Sequence, residues 1–340
     1  MKSNLRSLTF EPSCKVVPSS LEAILPVAFD ALVASIGFEN RARYFFENHR
    51  LRATKKLAYA FTDRNKLGFA TNLSFFDSNG FYVDSLESHE FSHSLLQELN
   101  SVASVNEGEL RVCVDISSMS RSRMANVIEV ALMCSAKRLV VVDFVYCVAR
   151  YNPPPSEPTF IEVAGPVTPF FAGWTTRPEA PTCAIFGMGY EPDRVIGAIE
   201  YLEPGPIRAF IPVGTDPRFL EEVINVNQSL WDEISKEHQT FYKLSEPFNT
   251  FVKLESLLYS LKQEYRPILV PFGPKIFTIE CLLAAVAHYP SVAVWRVSGG
   301  SAMDPIDSEA SGEVHVLRAI FGNSVGNDPN SVQPIRTSVS

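Results

Sequence analysis

Side chains suited to holding a phosphate group cluster in one short segment of this 340-residue sequence. The segment follows the apolar run 110–114 and contains, in order, Asp115, Ser117, Ser118, Ser120 and Arg121. The hydroxyls and the guanidinium precede a predicted helix, whose N-terminus adds backbone N–H groups and the positive end of the helix dipole. We therefore expect a phosphate or nucleotide here. Asp115 ends a predicted buried strand, where a carboxylate orients a hydroxyl or positions a metal, but no histidine completes a hydrolytic triad.

A second turn, Gly37-Phe38-Glu39-Asn40-Arg41, follows the predicted strand 30–36 and precedes a helix. Gly37 suits a tight turn, and Arg41 adds a positive charge near the expected phosphate. Glu39 has three interpretations: a general acid or base, a group that recognises a ribose hydroxyl, or a charge that favours the helix N-terminus. We expect this turn to form part of the same ligand site.

Both segments have counterparts in the second half of the chain. Gly189 and Glu191 occupy a strand–turn–helix segment that echoes the one around Gly37, and Gly189 follows Gly37 by 152 residues. The segment 268–277, which contains Gly273 and Lys275, echoes 112–121. Such spacing indicates two similar units, each with its own crevice. The second crevice is less polar, with Lys275 as the obvious cation of its second loop.

A competing motif predicts different chemistry. His89-Glu90-Phe91-Ser92-His93 has the H-E-x-x-H spacing, in which two histidines one helical turn apart bind zinc and the glutamate activates water. A third ligand is not evident, since Glu98 projects from roughly another turn of the helix. We favour no metal site, and keep His89 and His93 as the weak candidates.

Composition limits the classes of protein that fit. The formal net charge of −8 weighs against a surface that coats nucleic acid, because that mode needs clustered Lys and Arg. The six cysteines form no Cys-x-x-Cys pair and lie mostly in apolar patterns, which is typical of reduced thiols in a cytoplasmic protein. No run approaches the ~20 apolar residues that span a membrane. We expect a cytoplasmic protein with neither membrane nor broad nucleic-acid contacts.

Strand-like and helix-like runs alternate through each half, which predicts an α/β protein with two tandem Rossmann-like units, mainly parallel sheets and an internal duplication. The predicted strands of the first unit are 30–36, 56–61, 81–85, 110–115 and 138–148. Those of the second unit are 183–187, 207–212, 240–244, 268–271 and 292–297. In the order 3-2-1-4-5, the loops after strands 1 and 4 open a crevice at their carboxyl ends, where both repeated motifs fall.

A proline-rich stretch separates the two halves. Residues 152–158 and 177–181 are rich in proline, which cannot continue a helix or a central strand. We place an N-terminal domain at 1–175, a C-terminal domain at 176–321 and a disordered tail at 322–340, which is polar and without periodicity.

Each half resembles the CRISPR-associated Rossmann fold (CARF) domains in architecture and in loop chemistry. The resemblance rests on a strand that ends in a Gly-containing turn and a later strand that ends in a loop with Ser, Gly and Lys or Arg at a helix start. It implies binding of cyclic or linear oligonucleotide messengers, a nucleotide ligand and a context of bacterial antiviral defence. By the same resemblance, the ligand would lie against Ser117, Ser118, Ser120 and Arg121 in one unit and against Gly273 and Lys275 in the other.

Three classes of function follow from the sequence. The first, which we favour, is a sensor that binds a nucleotide or other phosphate-bearing ligand and acts through a partner protein. The second is an enzyme, either one that uses the first crevice on a phosphoester or a zinc hydrolase that uses His89 and His93. The third is a structural subunit that docks into a larger assembly. Whether the chain is an enzyme stays open at this point.

Overall fold

The computed structural model describes residues 12–63, 65–103, 108–153, 161–175, 177–190, 194–298 and 306–322. The chain is an α/β protein whose described residues form a seven-stranded sheet and a six-stranded sheet, both mainly parallel. This confirms the predicted fold class. Helices pack on both sheets, and the continuous apolar strands are buried, as a parallel sheet with covered faces requires.

The first sheet is built mainly from the first half of the chain. Its strands and the helices between them are β1 (Cys14–Pro18), α1 (Leu21–Ile24), β2 (Ala28–Ile36), α2 (Tyr44–Asn48), β3 (Arg52–Ala60), α3 (Phe69–Ser78), β4 (Tyr82–Ser85), α4 (Ser88–Ala103), β5 (Leu110–Asp115), α5 (Arg121–Ser135) and β6 (Val140–Ala149). A short 3-10 helix, Asn40–Ala42, precedes α2. The order across the sheet is β1-β13-β6-β5-β2-β3-β4, with β13 supplied from the end of the chain.

The second sheet comes from the second half. Its elements are β7 (Val163–Pro166), β8 (Thr182–Gly187), α6 (Arg194–Leu202), β9 (Ile207–Val213), α7 (Pro217–Val226), β10 (Gln239–Lys243), α8 (Pro247–Leu261), β11 (Arg266–Pro271), α9 (Lys275–Ala287) and β12 (Ala293–Ser298). The order is β10-β9-β8-β11-β12-β7. The last strand of the chain, β13 (Ala310–Phe321), follows.

The five predicted strands of each unit have the predicted order. The segment β4-β3-β2-β5-β6 of the first sheet and the segment β10-β9-β8-β11-β12 of the second are both 3-2-1-4-5 with parallel pairing. The first and fourth strands are therefore neighbours in each sheet. Their loops meet at the carboxyl ends of the strands, where ligands bind in open α/β sheets.

Three strands, β1, β7 and β13, lie outside these five-strand segments. The sequence did not predict the positions of β7 and β13 in the sheets. β13 lies between β1 and β6 and is antiparallel to both, although it comes after the second sheet in the chain. β7 extends the second sheet, antiparallel to β12. The first sheet is therefore made from two separate stretches of chain, whereas the second is made from the continuous stretch between β7 and β12. The predicted domain limits at 175 and 321 stay a prediction, with residues 310–321 belonging to the first sheet.

One hydrophobic core cluster extends across both units, while two further clusters lie one in each unit. A single buried cluster includes Met124 and Ile128 of α5 together with Phe277 and Leu282 of α9, and these two helices contact each other directly. Both are the helices that follow the fourth strand of their unit, so the two crevices at their N-terminal ends lie on the same side of the molecule. In the described part of the chain, no helix is long and apolar enough to cross a membrane. All six cysteines are free thiols.

Candidate functional site

Glycines let the two loops of each crevice touch. A Cβ atom added to Gly37 would lie 2.4 Å from Ser118 Oγ, so the turn after β2 lies against the loop after β5. A Cβ atom added to Gly273 would lie 2.3 Å from the carbonyl oxygen of Met188, so the loop after β11 lies against the loop after β8. At Gly273 the contact is with backbone, so a larger residue would push the two loops apart, whereas at Gly37 a larger residue would displace the Ser118 hydroxyl.

The two crevices open into one cleft between the units, with a volume of about 720 Å³. Both sheets contribute its walls, and the charged side chains that line it are mostly positive. The cations are Arg41, Lys66, Arg121, Arg150, Arg194, Lys275 and Arg296, and the carboxylates among the described lining residues are Glu39 and Asp63. This excess of positive charge stands out in a chain whose formal net charge is −8. The cleft therefore attracts anions.

The residues predicted from sequence fall into two layers. Those that line the cleft are Glu39, Arg41, Ser120, Arg121, Gly189, Gly273 and Lys275. Those that lie buried beneath its wall are Gly37, Asp115, Ser117 and Ser118. Glu191 lies outside the described residues. The structure thus brings predicted residues of both halves to a single cleft, whereas the sequence predicted one crevice for each half.

Arg121 and Lys275 reach across the boundary between the units. Each is the first residue of its helix, Arg121 of α5 and Lys275 of α9. Arg121 donates through Nε to Pro271 O at 2.7 Å and through Nη2 to Phe272 O at 2.5 Å. Lys275 Nζ donates to Ser117 O at 2.5 Å. Each cation thus binds backbone carbonyls at the strand end of the other unit, which couples the two crevices.

Glu39 sits between two of these cations. Its Oε2 accepts from Arg41 Nε at 2.5 Å, and its Oε1 lies 3.4 Å from Lys275 Nζ. Burial alone would raise the pKa of Glu39, but the charges of Arg41 and Lys275 outweigh it and lower the pKa to about 2. Burial likewise disfavours the charged form of Arg41, but Glu39 outweighs it and raises the pKa of that guanidinium. Glu39 and Arg41 are therefore both charged throughout the physiological pH range.

Asp115 lies beneath this group and differs from Glu39 in its electrostatics. Its Oδ1 accepts from Ser117 N at 2.8 Å, while its Oδ2 is buried without a hydrogen bond among the described residues. Burial raises the pKa of Asp115 to about 6, against the opposing hydrogen bonds from Ser117. Ser117 Oγ in turn accepts from Cys147 N at 2.8 Å, so this layer joins β5 to β6. Asp115 supports the loop from below the cleft.

Backbone donors at the two helix starts are partly occupied by the chain itself. Ser120 caps α5, its Oγ accepting from Arg123 N at 3.2 Å. In the second crevice, Phe272 N and Gly273 N both donate to Gly187 O, and Pro274 has no N–H group. The sequence predicted that helix N-termini would hold an anion. In the structure, positively charged side chains line the cleft, and these side chains are better placed to hold an anion than the backbone N–H groups.

Arg123 is a buried residue that the sequence analysis did not single out. Its guanidinium donates to Tyr59 O, Ala60 O and Leu86 O, each at 2.8 Å, and lies 3.7 Å from the centre of the Phe61 ring. These carbonyls are at the carboxyl ends of β3 and β4, so Arg123 fastens the first turn of α5 to both strands. The apolar residues that follow it in α5, such as Met124, Val127 and Ile128, were the available signal that this part of the helix is buried.

Other cleft residues were not among the site residues predicted from the sequence. Arg150 comes directly after β6 and pairs with Glu309, and Arg296 lies within β12. Tyr190 and Phe219 add aromatic rings 5.7 Å apart at the second-unit side. Arg194, at the start of α6, also lines the cleft. These positions became neighbours only through the packing of the two units.

The H-E-x-x-H motif lies in the first turns of α4, away from the cleft. Both His89 and His93 are exposed, and Glu90 accepts a hydrogen bond from Glu87 N at 3.1 Å, so it caps the helix. Phe91 and Leu95 are the buried face of this helix. Across the described ranges, no group of three or more His, Cys, Asp or Glu side chains is placed to hold a metal ion.

Comparison with known proteins does not add a family to these observations. No protein-family model matches the chain, and no curated protein has significant sequence similarity to it.

Proposed function

We propose that this protein is a sensor that binds a nucleotide or related phosphate-bearing anion in the cleft between its two units. The observation that carries the proposal is the charge of that cleft. Its charged lining residues in the described part of the chain are predominantly cationic and come from both units, although the chain as a whole is acidic. A concave site with one sign of charge concentrates ligands of the opposite sign.

The size and the other lining groups favour a nucleotide over a small inorganic anion. A volume of about 720 Å³ lies within the range of about 300–1,000 Å³ typical of sites for small molecules and cofactors. Tyr190, Phe219 and Phe272 line the same cleft. Aromatic rings next to cations suit a ligand with both bases and phosphates, because bases stack on rings while phosphates pair with the charges.

A ligand in this position would act on the boundary between the units. Arg121 and Lys275 already join the two crevices through backbone carbonyls, and an anion that binds them contacts both units at once. A ligand shifts a conformational equilibrium when it binds one arrangement more tightly than another. Binding at the boundary is therefore suited to a regulatory role, in which the arrangement of the units signals to a partner protein.

The end of the second unit opposite the cleft offers a surface for such a partner. Trp174 is 66% exposed and its N donates to Pro290 O, next to Tyr289, which is stacked on Phe170. Tyr259 is 64% exposed and lies beside Lys262, whose Nζ contacts His288. Large exposed aromatic side chains that cluster are typical of protein contact surfaces. The same observation favours the alternative function, a structural subunit, which would bind its partner through this surface without any ligand.

The resemblance to CARF domains extends the proposal to ligand class and biological context. The strand order 3-2-1-4-5 of both units and the position of the cleft at the carboxyl ends of β2, β5, β8 and β11 support it. On this proposal the ligand is an oligonucleotide messenger, and the protein works in bacterial antiviral defence. We propose no enzymatic step.

Isothermal titration of the full chain with ATP, GTP and linear and cyclic oligoadenylates tests the function. We expect at least one nucleotide to bind, and Arg296→Ala to weaken it roughly tenfold, as loss of a charged hydrogen bond of about 1.4 kcal/mol would. Arg177→Ala is the matched control, because Arg177 is exposed and bonds Lys262 O at the opposite end of the unit. No binding by any nucleotide, together with a stable partner complex, would favour the structural subunit.

A further inference from the structure

Glu39 is one of the two carboxylates among the described residues that line the cleft. Its carboxylate bonds Arg41 and Lys275, one from each unit, and its side chain is only 15% exposed. A carboxylate between two cations has the charge and the bonding pattern of a bound anion. An anionic ligand that uses Arg41 and Lys275 must therefore compete with Glu39.

The backbone of the Glu39 turn is held without help from the carboxylate. Asn72 Nδ2 donates to Gly37 O at 2.9 Å and to Glu39 O at 2.8 Å, and Ala42 N donates to Glu39 O at 3.0 Å. Asn72 is itself fully buried. The conformation of the turn is thus fixed by these contacts and does not depend on where the Glu39 carboxylate lies.

The two cations are also held independently of Glu39. Arg41 Nη1 donates to Cys147 O at 3.3 Å, and its guanidinium lies 5.8 Å from the centre of the Tyr146 ring. Lys275 Nζ donates to Ser117 O. Departure of the carboxylate would leave both positive groups near their present positions, ready to bind another anion.

We infer that Glu39 is an internal counter-ion which a phosphate of the ligand displaces from Arg41 and Lys275, and that this exchange sets the affinity and charge selectivity of the cleft. The inference rests on the proposed function, because it concerns the same site. A singly charged anion gains little by replacing a carboxylate of equal charge. A group with two or more negative charges gains more from the two cations than Glu39 does, so the exchange favours polyphosphate-like ligands.

Removal of the carboxylate should produce two opposite effects. In ligand-free protein, Glu39→Gln leaves two mostly buried cations without their counter-ion, which lowers the melting temperature. With a polyanion present, the same variant has no competitor in the site, so binding tightens and the melting temperature rises by more than in the wild type. A residue with only a structural role would produce the first effect without the second.

The test is calorimetric titration of the full chain with inorganic triphosphate, alongside its thermal shift. We expect Glu39→Gln to bind triphosphate at least tenfold more tightly than the wild type. Glu109→Gln is the matched control, because Glu109 pairs with Arg111 at the same two-residue spacing but at the start of β5, away from the cleft. It should bind as the wild type does. If Glu39→Gln proves too unstable to purify, Glu39→Asp shortens the carboxylate and should give a smaller gain in the same direction.

The possible results separate this inference from the proposed function. Equal or weaker triphosphate binding by both Glu39 variants would overturn the role of Glu39, and so would no binding by any of the proteins, since the uncovered cations should then hold triphosphate. The proposed function is judged by nucleotide binding to the wild type. A wild-type protein that binds a nucleotide while the Glu39 variants gain nothing would keep the sensor and remove the counter-ion exchange.

Discussion

The two crevices share a topology but differ in chemistry. The loop after β5 contains a buried carboxylate, three serines and the cation Arg121, whereas the loop after β11 is Phe272-Gly273-Pro274 and closes on Gly187 O through its own backbone. The first residue of α9, Lys275, points toward the first unit and bonds Ser117 O. The second unit therefore supplies scaffold and one cation to a site whose polar groups come mainly from the first.

The same contrast recurs one turn into the helices. Arg123 is the third residue of α5 and bonds strand-end carbonyls, while Phe277 is the third residue of α9 and stacks on Tyr242 at 5.0 Å. One unit fastens its helix by buried hydrogen bonds and the other by aromatic packing. The two units thus have a stabilising contact at the same position of the fold but form it by different interactions. Mutations can test each of these differences.

The largest effect is expected at Arg123. Arg123→Met leaves the carbonyls of Tyr59, Ala60 and Leu86 without their donor in a buried site, which should lower the free energy of unfolding by about 4 kcal/mol. Urea denaturation followed by circular dichroism measures it. Phe277→Leu in the second unit should cost less, about 1–2 kcal/mol, because the replacement is still apolar. Equal losses of unfolding free energy at Arg123 and Phe277 would contradict this difference between the two units.

Asp115 should give the first crevice a pH dependence that the second lacks, since Pro271 stands in the corresponding place. The pKa is raised in the folded protein, to about 6 from an ordinary 3.8, so the stabilising protonated form is lost as pH rises through this range. Asp115 should lower the free energy of unfolding by about 3 kcal/mol between about pH 3 and pH 7, because each pKa unit is worth about 1.4 kcal/mol.

The measurement is the difference in unfolding free energy between wild type and Asp115→Asn across that pH range. The difference should change with pH, with the variant gaining relative stability toward neutral pH. A difference that stays constant would mean that Asp115 has an ordinary pKa.

Arg121 tests whether the two crevices are coupled. Arg121→Ala removes two hydrogen bonds to Pro271 O and Phe272 O, and we expect a loss of about 2 kcal/mol in the free energy of unfolding. Lys275→Ala removes the hydrogen bond from the second unit to the first, which Lys275 Nζ donates to Ser117 O. If both cations act on one boundary, the double variant should lose less than the single losses added together. Additive losses would indicate two independent crevices.

The smallest effect is expected at the exposed histidines. His89 and His93 project from α4 into solvent, and the double variant His89→Ala/His93→Ala should unfold within about 0.5 kcal/mol of the wild type. Addition of zinc should leave the melting temperature of each protein unchanged. A zinc-dependent rise that the double variant loses would restore the metal site that the motif suggests.

Local patterns were enough to predict the framework of the fold. Continuous apolar runs such as 140–142 and 184–186 identified the parallel strands, and the repeated motifs located the loops that meet at their ends. β13 was missed because its pairing partner, β6, lies far away in sequence and because it follows a segment with no helix or strand pattern. The residues of a strand do not themselves show which distant strand it pairs with.

The candidate site was only partly accessible to sequence reasoning. Residues of the repeated loops, such as Glu39 and Lys275, were identified because their types and positions recur. Arg150 and Arg296 were not, since they line the cleft only after the two units pack through α5 and α9. The contact between Glu39 and Lys275 joins residues from different halves, so the counter-ion arrangement depends on tertiary packing that neither motif encodes.

The return of the chain to the first sheet also constrains how the protein is made. β13 holds the place between β1 and β6, so β1 has no neighbour in the sheet until residues 310–321 exist. During synthesis, which proceeds from the N-terminus at about 5–20 residues per second, the second unit is therefore complete before the first sheet can close. The earlier half of this protein finishes folding last, and a ribosome stalled before residue 310 would carry an exposed β6 edge.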